Sequence, residues 1–86
     1  MNLTPIQQTP EFDEHTTPAG LLASHVTKDG IWGKIVVLEG KLLYRILEPT
    51  IEEVELAPGR HGVVEPGVRH EVVPEPGVRF YVQFNH

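Results

Sequence analysis

Apolar and polar residues alternate in short runs along this chain, and nearly every run stops at a glycine or a proline. A period of two is the signature of a strand with one face buried. The runs predict strands over 21–28, 32–38, 41–47, 51–56, 62–65, 68–73 and 78–84. Turn signals separate them: Asp29-Gly30, Glu39-Gly40, Pro49-Thr50, Pro58-Gly59, Pro66-Gly67 and the stretch from Pro74 to Gly77. Asp-Gly suits a two-residue hairpin turn, because both central positions need a positive φ. No stretch carries a helical period with caps, and no internal repeat is present. Seven or eight strands joined by tight turns predict an all-β sandwich, jelly roll or small barrel. Residues 1–17 differ. Pro5, Pro10, the polar Gln7-Gln8-Thr9 and the acidic stretch from Glu11 to Glu14 show no period. They read as an extended N-terminal arm with one edge strand near Ile6, leaving residues 18–86 as the barrel.

Length and composition narrow this further. A chain of 86 residues builds one modest core and buries only about 60% of the surface its unfolded form exposes. Domains of this size usually need a staple, a metal or a partner subunit. With no cysteine, disulfides are excluded. The formal charge of −5 and seven scattered basic residues give no basic patch for phosphates, which excludes nucleic acid as a partner. No apolar run approaches a membrane span, and the first residues have neither the basic start nor the apolar stretch of a secretion signal. A cytoplasmic protein is expected. A homodimer is expected as well, with the arm reaching a neighbour to cover an exposed sheet edge.

Strand parity places three ionisable side chains on faces whose other members are apolar. His25 alternates with Leu21 and Ala23, Glu65 with His61 and Val63, and His70 with Val68 and Val72. A carboxylate on an apolar face is costly unless it is paired or bound to a metal. Two imidazoles and one carboxylate are first-choice ligands for zinc, iron, nickel or manganese, and such a trio leaves coordination positions open. The same residues also fit a plainer reading, as surface side chains or hydrogen-bonded core groups. Glu65 lies five positions before His70, so the two converge only if the chain bends at Pro66-Gly67; otherwise Glu65 is a pocket-rim base or a surface carboxylate. His61 is the reserve ligand.

The run Gly59-Arg60-His61-Gly62-Val63-Val64-Glu65-Pro66-Gly67-Val68-Arg69-His70 resembles the second motif of the cupins, with Gly59, Gly67 and His70 in register. Glu65 stands where that motif usually has proline. The first cupin motif is kept only at His25. Thr27 replaces its second histidine, and Gly33 lies near the place of its glutamate. The run from His25 to Lys34 is similar to the His-x-Thr-Lys-x-Gly-x-Trp signature of the small tellurite-resistance-associated cupins. That family includes stand-alone domains and a domain fused to a methyltransferase. The resemblance implies a single small cupin-type jelly-roll barrel, frequent dimers, and one divalent metal ion (iron, zinc, nickel or manganese) held by His25, Glu65 and His70.

Three further residues are candidates for contact with a small-molecule ligand. Thr27 shares parity with His25 and either bonds a bound water or simply packs. Trp32 either walls a pocket mouth or joins the core. Tyr81 reaches a pocket only if its face, rather than that of Phe80, Val82 and Phe84, points inward. Two functions follow as expectations: a metal-dependent oxygenase or oxidoreductase acting on a small organic molecule, or a non-catalytic module that binds a metal or small metabolite in a stress response. No nucleophile elbow, phosphate loop or metalloprotease helix is present.

Overall fold

The computed structural model describes residues 5–19 and 30–85. Among them the chain forms eight strands: β1 Pro5–Gln8, β2 Phe12–Asp13, β3 Trp32–Glu39, β4 Leu42–Ile46, β5 Glu52–Leu56, β6 Gly62–Val64, β7 His70–Pro74 and β8 Arg79–Asn85. No α-helix occurs among the described residues. Each run predicted from Trp32 onward becomes a strand within two residues of its expected bounds. The strand expected over 21–28 lies outside the described residues.

All pairings are antiparallel and they make two sheets. One follows the order β1-β8-β3-β6, with β2 also on β8; the other is β5-β4-β7. Alternation decides which side chains meet between them. Ile35 and Val37 of β3, Val64 of β6, and Phe80 and Val82 of β8 point one way. Leu42 and Tyr44 of β4, Leu56 of β5 and Val72 of β7 meet them from the other sheet. Phe80, Leu42 and Leu56 are fully buried. Burial of such side chains contributes roughly 1.5–3 kcal/mol each, which is the main stabilising term in a chain without disulfides.

The N-terminal segment has a definite place. Pro5 pairs with Asn85 and Gln8 with Gln83, and then Phe12 pairs with Phe80 and Asp13 with Arg79. β1 and β2 thus cover one edge of β8 in succession, within the same chain. The Phe12 and Phe80 rings meet edge to face at 5.7 Å. Arg79 binds Glu11 of the arm on one side and, at 3.0 Å, Glu39 of β3 on the other. Glu14 accepts the Gly77 backbone N–H at 2.8 Å. Between the two arm strands and the rest of the chain, Asp13 closes a tight turn by accepting the N–H groups of His15 and Thr16. The His15 N–H favours the charged form and holds the Asp13 carboxyl below its ordinary range.

Two arginines sit inside ladders rather than at edges. Arg45 lies on the central strand β4, between Glu53 of β5 and Glu71 of β7. Arg79 lies on β8, paired on both sides.

Gly40 is the turn position most constrained by its surroundings. Its φ is +73°, and a Cβ there would stand 3.0 Å from Val78 Cα and 3.1 Å from the Gly77 carbonyl. Gly59 has φ +85° with open space around it. A left-handed conformation alone costs an L-residue about 1–2 kcal/mol. Crowding against backbone adds to that cost. Urea denaturation is therefore expected to show Gly59→Ala losing about 1 kcal/mol and Gly40→Ala losing at least about 2 kcal/mol. Equal losses at the two positions would contradict the packing of the β3–β4 turn against Val78.

Candidate functional site

The Pro66-Gly67 bend expected from the sequence is present. Gly67 has φ +76°, and the Val68 N–H donates to the Glu65 carbonyl at 3.4 Å. Val68 and Arg69 belong to this connection, so β7 starts at His70 rather than at Val68. The bend leaves Glu65 exposed and His70 buried, at 2% of its surface. The His70 ring meets Tyr44 edge to face at 5.9 Å. Its Nδ1 lies 3.2 Å from the Val68 carbonyl, which accepts in the tautomer protonated there.

Glu65 lines a cavity of about 180 Å³ with Tyr44, Ile46, Glu48, Pro49, Glu52, Val63 and Val68. Three strands and two connections build it. β4 brings Tyr44 and Ile46 on its inward parity. β5 brings Glu52, which pairs with Ile46. β6 ends at Val63-Val64 and hands over to Glu65. The β4–β5 connection supplies Glu48 and Pro49, joined by a cis peptide bond. The polar groups all present oxygen. Glu48 accepts the Arg69 backbone N–H at 3.2 Å. Tyr44 is 97% buried by its side chain's fit in the core, and its hydroxyl donates to the Val63 carbonyl at 3.1 Å. Burial, and then the nearby Glu65 carboxylate, push the Tyr44 phenol up to about 12.

The residues singled out in the sequence are spread around this cavity rather than gathered in it. Glu65 is on its rim. His70 packs behind Tyr44 and is not in the lining. Trp32 starts β3 opposite Asn85, and Tyr81 pairs with Val36 on the face opposite Phe80 and Val82. His61 is exposed just before β6. His25 and Thr27 lie outside the described residues. Tyr44, Glu48 and Glu52 went unnoticed in the sequence. The available signal was Tyr44 itself, a hydroxyl-bearing ring on the parity of Leu42 and Ile46. Glu52 reads as one more solvated carboxylate in an acidic stretch.

Three comparisons bear on this site. The TehB-like domain family matches residues 7–82. The chain is similar to the crystal structure of TehB from Haemophilus influenzae, with 31% identity and a TM-score of 0.90, over 96% of this chain and 31% of that one. It therefore spans about a third of the length of that protein. It shares its fold with a structural-genomics target from E. coli (strain K12), with a TM-score of 0.89 and 20% identity, over 99% of this chain and 91% of that one. No curated protein matches the sequence.

These findings correct the expected cofactor. The matching family is of methyltransferase type and uses S-adenosylmethionine, an organic cofactor, in place of the expected divalent ion of iron, zinc, nickel or manganese. Among the described residues, no three His, Asp or Glu side chains are grouped as a metal site requires. The bend leaves Glu65 exposed and lining the cavity and His70 buried beside Tyr44, and His25 lies outside the described residues. Nor does the cavity fit S-adenosylmethionine. Pockets for molecules of drug size begin near 300 Å³, against about 180 Å³ here, and three glutamates oppose that molecule's own carboxylate. No methyl-transfer step is assigned to this cavity. No helix among the described residues is long and apolar enough to cross a membrane.

The Tyr44 environment gives a pH dependence. The phenol is raised to about 12 in the folded chain against about 10 unfolded. The stabilisation from keeping it neutral is complete below pH 10 and is lost as pH rises towards 12. Ultraviolet titration is expected to show a tyrosinate step near pH 12 that disappears in Tyr44→Phe and moves to lower pH in Glu65→Gln. An unmoved step in Glu65→Gln would show that the carboxylate does not act on the phenol.

Proposed function

The chain belongs to the TehB-like domain family, and on that premise we propose that it is a cupin-type jelly-roll module that binds a small organic molecule without transforming it. The observation that carries this reading is the cavity between the end of β6 and the Tyr44–Ile46 end of β4. It has the composition of a binding site: an apolar floor from Ile46, Pro49, Val63 and Val68, with a few placed polar groups. Among the described residues, no nucleophile with an adjacent base and no acid–base pair of contrasting character lines it. The metal-dependent oxygenase weighed from the sequence loses the ion on which it rested. The small-metabolite binder in a cytoplasmic stress response does not depend on that ion.

A homodimer belongs to the same reading. Its support is a small core together with exposed apolar side chains. Ile51 and Val63 keep 68% and 59% of their surface open, and Val63 also lines the cavity.

The test of binding uses a library of small amines, acids and polyols followed by amide chemical shifts. A true ligand is expected to move Val63, Glu65 and Val68. Val63→Trp should abolish binding, since the exposed position accepts a large ring that fills the cleft. Responses scattered over the surface, or binding that survives Val63→Trp, would place the ligand elsewhere. Light scattering at micromolar concentration is expected to return the mass of two chains, and the mass of one would remove the dimer.

A further inference from the structure

We infer that the segment from Glu11 to Thr17 is an acid-released strap: three carboxylates, Glu11, Asp13 and Glu14, clasp it to β8, and their protonation frees it while the two-sheet core stays folded. This goes beyond the binding reading above and uses none of the cavity residues.

The sequence sets up the clasp. Between Gln8 and Pro18, Phe12 is the one apolar side chain other than Pro10, and acids flank it at positions 11, 13 and 14. Phe12 is half-buried. One half-buried ring does not offset the entropy of ordering the residues around it, so polar contacts must supply the rest. Each carboxylate supplies a different one. Glu11 binds the Arg79 guanidinium of β8, which also donates to Glu39 of β3 at 3.0 Å. Glu14 accepts the Gly77 N–H at 2.8 Å, in the turn that leads into β8. Asp13 accepts the N–H groups of His15 at 2.7 Å and Thr16 at 2.9 Å, and the Thr16 hydroxyl at 3.1 Å. A carboxylate accepts most strongly when ionised, so acid weakens all of these contacts together.

The neighbouring attachments are of another kind. Thr9 is tied to Val82 by two neutral bonds: its N–H donates to the Val82 carbonyl at 2.9 Å, and its hydroxyl oxygen accepts the Val82 N–H at 2.9 Å. These do not titrate, which makes Thr9 the point from which the strap peels. The core rests on buried apolar side chains such as Phe80, Leu42 and Leu56, which do not titrate either. On the other sheet, the carboxylates Glu53 and Glu71 that flank Arg45 lie on strands already joined by full ladders.

The charged groups around the clasp set the sign. On the strap itself His15 stands 3.9 Å from Glu14. Arg79 faces the strap from β8 and Glu39 from β3, and Glu75 lies in the same turn as Gly77. The His15 N–H holds the Asp13 carboxyl below its ordinary range. Its contribution is therefore complete above the ordinary value of about 3.9 and is lost as pH falls through the lower folded value.

The test is a titration of the full chain from pH 6 to pH 3, followed by two nuclear magnetic resonance signals. The first is the proton contact between the Phe12 and Phe80 rings, whose centroids lie 5.7 Å apart. The second is amide exchange, corrected for its intrinsic pH dependence. The ring contact is expected to disappear at the acid end. Exchange at Gly77, Thr16 and Thr17 should rise at least about tenfold, from a few-fold for each exposed charged contact. Thr9, Val82 and the amides of β4 should keep their protection. The Glu11→Gln/Asp13→Asn/Glu14→Gln triple variant is expected to lack the ring contact already at pH 6 and to show no further change on acidification. Glu14→Gln alone should raise Gly77 exchange a few-fold at pH 6, and Glu53→Gln should leave the whole profile as it is. A ring contact that persists at pH 3 would overturn the inference. So would loss of the strap and of β4 protection at one and the same pH, which is plain acid unfolding, or a triple variant that opens over the same pH range as the parent chain.

Discussion

The structure depends on the two-sided pairing of β8. This strand is the last in the chain, yet in hydrogen bonding it is central, with β3 along one side and β1 and β2 along the other. Its inward residues Phe80 and Val82, with Val78 before it, fill the middle of the core. A strand open on one side would present a row of unpaired backbone groups next to the largest buried ring. The N-terminal segment removes that edge. It also places Phe12 against Phe80 and Glu11 against Arg79. The Arg79–Glu39 pair then links the same point to β3. Exposed ion pairs of this kind contribute little individually, so their role is to set register, while burial of Phe80 supplies most of the stabilisation.

The sequence foretold the strands and not their partners, for a physical reason. A period of two is local, and it is visible wherever a run such as Phe80-Tyr81-Val82 has one face buried. Pairing is non-local. Nothing in Pro5–Gln8 says that its partner lies some seventy-five residues on, and an arm of polar residues and prolines lacks the apolar alternation that marks a strand. That is why the arm, expected to reach a neighbour, covers an edge of its own chain. The charges show the same limit. Arg45 alternates outward between the inward Tyr44 and Ile46, but its place between Glu53 and Glu71 follows from sheet order, which composition does not encode.

The site divides along the same line. Glu65 and the bend after it were legible, because Pro-Gly marks a turn whatever surrounds it. His70 was legible as a histidine on an apolar face, and it is buried there beside Tyr44 and the Val68 carbonyl. His25 and Thr27, the other half of the expected constellation, lie outside the described residues. Tyr44, Glu48 and Glu52 come from two strands and a connection. Their convergence is a product of β4–β5 pairing and of the short β6, so no spacing in the sequence could announce it.

The core and the cavity are joined at Tyr44. The ring is core, packed with Leu42, Val72 and the His70 edge; the hydroxyl is cavity, held by the Val63 carbonyl at the end of β6. One bond therefore does two things. It ties the two sheets at the point where β6 stops covering β4, and it uses up the donor that would otherwise have made the cavity neutral in hydrogen-bonding character. A phenylalanine would pack as well and lose this bond, which is worth about 0.5–1.5 kcal/mol. The acceptor character of Tyr44 towards the cavity is thus a consequence of how the sheets are fastened. It follows that the character of the cavity cannot be changed at Tyr44 without loosening the join, whereas the three glutamates of its lining carry no part of the core.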